Sequence, residues 1–256
     1  MLETNEWQNS MKARVVIIKK QTAFFCIVFL SFILTGMPLF IHSLSEPAHS
    51  SIPKNKVVVI DPGHGGIDGG TSKDGVVEKE ITLAISIKLR TILEERGYTV
   101  VMTREEDISL GGSENSVKNR HMKDLKTRVD IINNNNAEIF VSIHINSNPK
   151  NPKANGSIVF YSSIFDQNKI LAYSIQRSLN SIIVNGEKRS IHDPQKGSFY
   201  ILKYSEIPGA LVEVAFISNK AEKKLLSDDG FCTSIAESMA SGIGNYFNGF
   251  SEDFIK

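Results

Sequence analysis

A chain of 256 residues, 41% hydrophobic and 22% charged, has room for one catalytic domain and an appendage. Its net charge is +1, and from residue 56 onward 24 Lys+Arg stand against 25 Asp+Glu, which argues against a nucleic-acid partner. The two cysteines, Cys26 in an apolar run and Cys232 far from it, argue against a disulfide framework and against a thiolate metal site.

Residues 1–22 are basic, with Lys12, Arg14, Lys19 and Lys20 ahead of the uncharged run "AFFCIVFLSFILTGMPLFI" at 23–41. About 19 uncharged residues just suffice to span a bilayer. The preceding positive charge predicts a cytoplasmic N-terminus and export of the chain beyond residue 41, with the run serving as an anchor or a signal segment. Residues 42–55, "HSLSEPAHSSIPKN", read as a polar linker, which leaves 56–250 as the working domain.

That domain begins with "VVVIDPGHGGIDGG", residues 57–70. The β-branched run predicts a strand buried on both faces. It ends at Asp61-Pro62, and His64 follows inside a cluster of glycines. A dinucleotide loop fails here, because the third glycine of G-x-G-x-x-G falls on Asp68; no G-K-[ST] follows either.

Next comes a helix, "KEITLAISIKLRTILEERG", with Ile81, Ile85, Leu89, Ile92 and Leu93 on one face and Gly97 at its end. "YTVVMTR" predicts a second strand, and "DISLGGSENSVKNRHMKD" a polar insertion without periodicity. A helix is expected from Asp124 to Asn133, followed by strands at "EIFVSIHIN" and "GSIVFYS". A further helix carries Ile170, Leu171, Ile175, Leu179 and Ile182; "FYIL" reads as a short strand, "ALVEVAFI" as a firmer one, and the tail from Lys220 to Phe247 as helix. The alternation predicts a single three-layer α/β domain, a mostly parallel twisted sheet with helices on both faces.

Open α/β sheets place chemistry at the carboxyl ends of their strands. Those ends carry His64, Arg104 and His144; Glu213 lies within "ALVEVAFISN", and Glu78 stands just ahead of the first helix. Read singly, His144 is an ordinary core histidine and Glu78 a carboxylate at a helix start. Glu213 inside an apolar strand is costly unless paired or functional. Together, two histidines and a carboxylate with a fourth position open match the donor set of a catalytic zinc. His42, His49, His121 and His192 fall in the linker, the insertion and a loop, and are given no role.

The motifs "VIDPGHGG", "VVEKE", "MTR" followed by Asp107, "LKTRVDIINNNNAEIFVSIHINS" and "ALVEVAFISN" together resemble the zinc-dependent N-acetylmuramoyl-L-alanine amidases, from about Lys56 to Phe247. The resemblance implies that His64, Glu78 and His144 bind one Zn2+ and that Glu213 is the catalytic acid–base. It also implies that the substrate is the amide between N-acetylmuramic acid and the L-alanine of the peptidoglycan stem. One departure is Ala215, where the family usually has glycine.

The polar insertion, the N-terminal apolar segment and the lack of wall-binding repeats resemble the germination-specific amidases of spore formers. This implies a spore-cortex substrate, cleaved before muramic-δ-lactam formation in the space between forespore and mother cell. Arg104 and Arg128 are candidates to meet a stem-peptide carboxylate, weighed against structural ion pairs. The rivals are a zinc peptidase cutting inside stem peptides, and a wall-binding protein that is non-catalytic or waits on an accessory partner.

Overall fold

The computed structural model describes residues 56–112 and 116–250. The basic N-terminus, the apolar segment 23–41 and the linker lie outside the described residues. Among the described residues no helix is long and apolar enough to cross a membrane.

β1 (Val57–Pro62) is followed by a small hairpin, β2 (Ser72–Lys73) and β3 (Val76–Val77), and by α1 (Glu78–Glu95). The hairpin turns on Asp74-Gly75, both at positive φ (50° and 84°), the two-residue turn that matches strand twist. α1 buries Ile85, Leu89 and Leu93, while Ile81 and Ile92 pack at the margin of the same core. Each fully buried aliphatic side chain contributes about 1.5–3 kcal/mol. Gly97, at φ 86°, follows the C-cap residue Arg96 and turns the chain back into β4 (Thr99–Met102).

α2 (Val117–Asn133) begins seven residues before the expected Asp124. Its first half is largely exposed, and only Arg128, Val129 and Ile132 are buried, so the early turns carry no apolar period. β5 (Ile139–Asn146) and β6 (Ile158–Tyr161) come next, then α3 (Asp166–Leu179). A second hairpin, β7 (Ile183–Val184) and β8 (Glu187–Lys188), turns on Asn185-Gly186, and β9 (Gln195–Lys196) follows. "FYIL" is not a strand: α4 (Tyr200–Tyr204) occupies it, burying Ile201 and Leu202. Four apolar residues are too few to separate the two periods. After β10 (Gly209–Phe216), the expected single C-terminal helix is two, α5 (Lys220–Leu226) and α6 (Asp229–Phe247). Asp228 separates them by accepting the amide of Phe231, which makes it the N-cap of the second helix.

The sheet order is β4-β1-β5-β10-β6-β9. Every pairing is parallel except β10 with β6. One face is covered by α1, α3 and α6 around Val58, Ile60, Ile143 and Val212; the other, around Val59, Phe140 and Leu211, by α2 and α4. The three-layer α/β expectation holds. Its consequence is that the carboxyl ends of β1, β5 and β10 lie side by side.

Candidate metal centre

β1 and β5 run in register from Val58↔Ile139 to Pro62↔Ile143, and the ladder continues with Gly63 donating to the carbonyl of Ile143. His64 follows at φ 61°, a left-handed conformation rarely taken by a residue with a side chain. Strain of this kind persists where surrounding structure enforces it. Here Gly65 and Asp68 exchange backbone hydrogen bonds, and Arg128 Nη2 binds the carbonyl of His64.

The side chain of His64 meets two carboxylates. Its Nδ1 is 2.9 Å from Asp68 Oδ2 and its Nε2 is 3.2 Å from Glu78 Oε1. His144 projects from β5 with Nδ1 3.1 Å from the same Glu78 oxygen. Glu78 opens α1, and its carboxylate is fixed by backbone amides: Thr71 donates to Oε2 and Ile145 to Oε1. One ligand atom from each of His64, Glu78 and His144 lies within 4.8 Å of the others, so the three form a set able to hold a metal ion.

The glycines leave room for this set. A Cβ on Gly63 would lie 2.5 Å from the His144 ring, and one on Gly70 would lie 2.5 Å from Glu78 Oε2 and 2.7 Å from His64 Cδ2. Those distances are shorter than any real contact, so the backbone approaches the cluster only because these positions lack side chains. Imidazole and carboxylate donors with little free space between them suit a small divalent cation such as zinc.

The electrostatics agree. Burial works against a charged His64, but hydrogen bonds to Asp68 and Glu78 push its pKa up to about 10. Burial likewise opposes the charge of Glu78, but the two imidazoles hold its carboxyl well below the usual range. Asp68, bound to His64, is lowered to about 2. The cluster therefore attracts positive charge, whether protons or a cation that displaces them. Sequence reasoning misses Asp68. A carboxylate four residues beyond a histidine in a glycine loop is its only signal, and it fixes the imidazole tautomer as a partner behind a ligand does.

Glu213 sits on β10 opposite His144 in the register of the two strands. Its Oε2 is buried and has no hydrogen-bond partner among the described residues. Burial pushes its pKa up to about 7; the charge of Glu78 adds to this, while His144 and His64 oppose it. A carboxyl near neutrality with an unsatisfied oxygen is suited to exchanging protons at neutral pH.

For the two arginines the structure shows the structural side of the alternative: both are engaged within the protein. Arg104 is only 2% exposed, and its guanidinium donates to the carbonyls of Pro62, Gly63, Lys79 and Glu106. Arg128, also 2% exposed, pairs with Asp61 at 2.7 Å and Asp124 at 2.6 Å, and donates to the carbonyl of Pro62. Neither guanidinium reaches solvent, so both brace the loop rather than wait for a substrate. Asp61 anchors the network, accepting also from Thr103 and Ser142. Burial opposes its charge, but Arg128 and the two hydroxyls hold its pKa below the usual carboxylate value.

A cavity of about 430 Å³ opens beside the cluster, between His64, Asp68 and Gly70 on one side and Val117, Arg120 and His121 of α2 on the other. A larger one, about 930 Å³, lies between the β7–β8 hairpin and the α5–α6 region and contains none of the four site residues. The smaller cavity reaches the cluster at His64.

Residues 58–245 match the N-acetylmuramoyl-L-alanine amidase family. The germination-specific N-acetylmuramoyl-L-alanine amidase of Bacillus subtilis (strain 168) is 36% identical over 201 residues, covering 77% of this chain and 82% of its own. Among solved structures, the CwlD amidase from Clostridioides difficile, in complex with the GerS lipoprotein, is 37% identical with a TM-score of 0.70, over 75% of this chain and 98% of that one. The AmiC2 amidase of Nostoc punctiforme is 32% identical with a TM-score of 0.63, over 75% and 96%. A match that spans the whole sheet, on a chain whose histidines and carboxylates converge at its strand ends, leads to one conclusion: the chain belongs to the N-acetylmuramoyl-L-alanine amidase family and hydrolyses the amide between N-acetylmuramic acid and L-alanine in peptidoglycan.

Proposed function

We propose that His64, Glu78 and His144 hold a single catalytic zinc, that Glu213 is the acid–base, and that the substrate is spore-cortex peptidoglycan. The observation that carries the reading is the buried Oε2 of Glu213, without a hydrogen-bond partner among the described residues and one strand away from a convergent His–Glu–His set. When bound, zinc supplies Lewis-acid activation of water and of the amide carbonyl. Glu213, with its buried oxygen lacking a partner among the described residues, removes a proton from the attacking water. The same carboxyl then returns the proton to the L-alanine nitrogen, which an amide leaving group requires. Asp68 holds His64 in the tautomer that turns Nε2 towards Glu78. The cavity beside His64, walled by the first half of α2, receives the substrate.

The cortex assignment draws on the germination-specific relative and on the CwlD amidase. Because that enzyme was solved with a lipoprotein, an accessory protein partner belongs to the same proposal. So does export of the domain across the cytoplasmic membrane, with residues 23–41 serving as an anchor or a signal segment.

Mass spectrometry of peptidoglycan digested by the full chain, with and without added zinc, tests the reading. Zinc-dependent release of intact stem peptides with a free L-alanine amine is expected. Glu213→Ala is expected to keep its metal and lose about a hundredfold or more in turnover. Fragments cut inside the stem make the enzyme a peptidase, and full turnover by Glu213→Ala removes that residue from the chemistry.

A further inference from the structure

The parallel pairing of β10 with β5 breaks directly after the catalytic candidate. Glu213 faces His144, but Phe216 faces Asn146, so three steps on β10 match two on β5. A bulge of this kind re-aims a side chain and leaves backbone groups outside the ladder. Two such groups are gripped by one buried ion pair. Phe216 N–H donates to Glu222 Oε2 at 2.8 Å, and the carbonyl of Val214 accepts from Arg189 Nη2 at 2.9 Å.

The pair itself is tight. Arg189 Nε and Nη2 lie 2.7 and 2.6 Å from Glu222 Oε1, which also accepts the amide of Gly156. Ser157 Oγ bridges the two halves, accepting from Arg189 Nη1 and donating to Val214 O. Phe231 lies under the guanidinium, 5.0 Å from its centre. Glu222 is only 2% exposed. It stands three residues after the Asn219 N-cap, where a glutamate ordinarily reaches back to the cap's own amide. Here the carboxylate bonds the bulge instead.

We propose that Glu222, held by Arg189, is a positioning residue for Glu213: the clamp fixes the bulge and thereby the direction from which the Glu213 carboxyl enters the site. This rests on the reading of Glu213 as the acid–base. Without the clamp, Phe216 N–H loses its partner and Val214 O keeps only the Ser157 hydroxyl, the bulge relaxes towards regular pairing, and Glu213 shifts against His144. The metal set is untouched, since none of its hydrogen bonds involves Glu222.

The test uses the zinc-loaded full chain and a soluble muropeptide. Glu222→Gln keeps the volume but replaces one acceptor oxygen with a donor that faces other donors. It is expected to lower kcat about a hundredfold with KM within about twofold and zinc content unchanged. Arg189→Lys, which keeps the charge and loses the fork, is expected to lower kcat about tenfold. In the Glu213→Ala background Glu222→Gln is expected to cost nothing further, since it acts through the missing carboxyl.

A folded Glu222→Gln enzyme with kcat within about twofold of the parent overturns the proposal. So does a parallel loss of zinc, KM and kcat, which marks general support of the site. If Glu222→Gln does not fold, Arg189→Lys decides by the same measures. If Glu213→Ala alone keeps full turnover, the acid–base reading fails independently, and any effect of Glu222→Gln then acts through something other than Glu213.

Discussion

Two charged clusters meet at residues 61–64, and they differ in one respect. In the first, Asp61, Arg128 and Arg104 are buried and saturated: Asp61 accepts from Thr103, Ser142 and Arg128, while the arginines bind the carbonyls of Pro62, Gly63 and His64. In the second, the side chains of His64, Glu78 and His144 crowd together, and Glu213 beside them keeps a buried oxygen without a partner among the described residues. Buried polar groups are normally satisfied, so a saturated cluster reads as scaffold and an unsatisfied one as a site. Residue type alone does not separate them.

The contrast is sharpened most by breaking the saturated side. Asp61→Asn removes the charge from a buried pair and leaves Arg128 facing Asp124 alone. Breaking one partner of such a pair costs about 3–5 kcal/mol. A loss of that size in the urea midpoint of the metal-free protein is expected. A loss below about 1 kcal/mol, the range of a surface pair, would mean that the network is ornamental.

The opposite sign is expected on the unsatisfied side. The folded pKa of Glu213 is raised from 4.5 to about 7, so the native state holds its proton more tightly than the unfolded chain. Its contribution is fully present below about pH 4.5 and is lost as pH rises through about 7. Removing that penalty makes metal-free Glu213→Gln more stable than the parent at pH 8, by up to about 3 kcal/mol, with the two converging near pH 4. Chemical denaturation of both proteins across that range measures it. Parallel pH profiles would show that the carboxyl finds solvent or a partner.

The same contrast explains what the sequence discloses. His64 stands out among glycines that serve no packing purpose and Glu213 as a carboxylate inside an apolar strand, whereas His144 and Glu78 gain meaning only beside them and from the motifs they share with the family. Arg104 and Arg128 stay ambiguous in the sequence because a basic residue near an active edge looks alike whether it meets a ligand or its own backbone. Asp61 and Glu222 escape notice because their roles lie in what they accept from hydroxyls, amides and guanidiniums of other segments, which no local period records, and Asp68 because its bond to the His64 imidazole within the glycine loop follows no period. The early turns of α2 are hidden by exposure and α4 by brevity. The hairpins announce themselves only as Asp74-Gly75 and Asn185-Gly186 between runs of two residues.

The smallest expected effect concerns a contact that imitates the saturated cluster at the surface. Asp107 accepts the amide of Gly66 at 2.7 Å and the ammonium of Lys79 at 2.6 Å, while Lys79 also binds the carbonyl of Gly66. On paper this ties the glycine loop down as Asp61 does, but the Asp107 side chain is 49% exposed. Water already serves such groups, and salt screens them. The loop has independent support, since a Cβ on Gly66 would lie 2.6 Å from Ser109 N, a sign of close backbone packing. Asp107→Ala is therefore expected to cost about 0.5 kcal/mol at low salt and less at high salt, read from urea midpoints at two ionic strengths. A salt-independent loss above about 2 kcal/mol would place Asp107 with the buried charges. Burial would then no longer divide the braces of this loop into strong and weak.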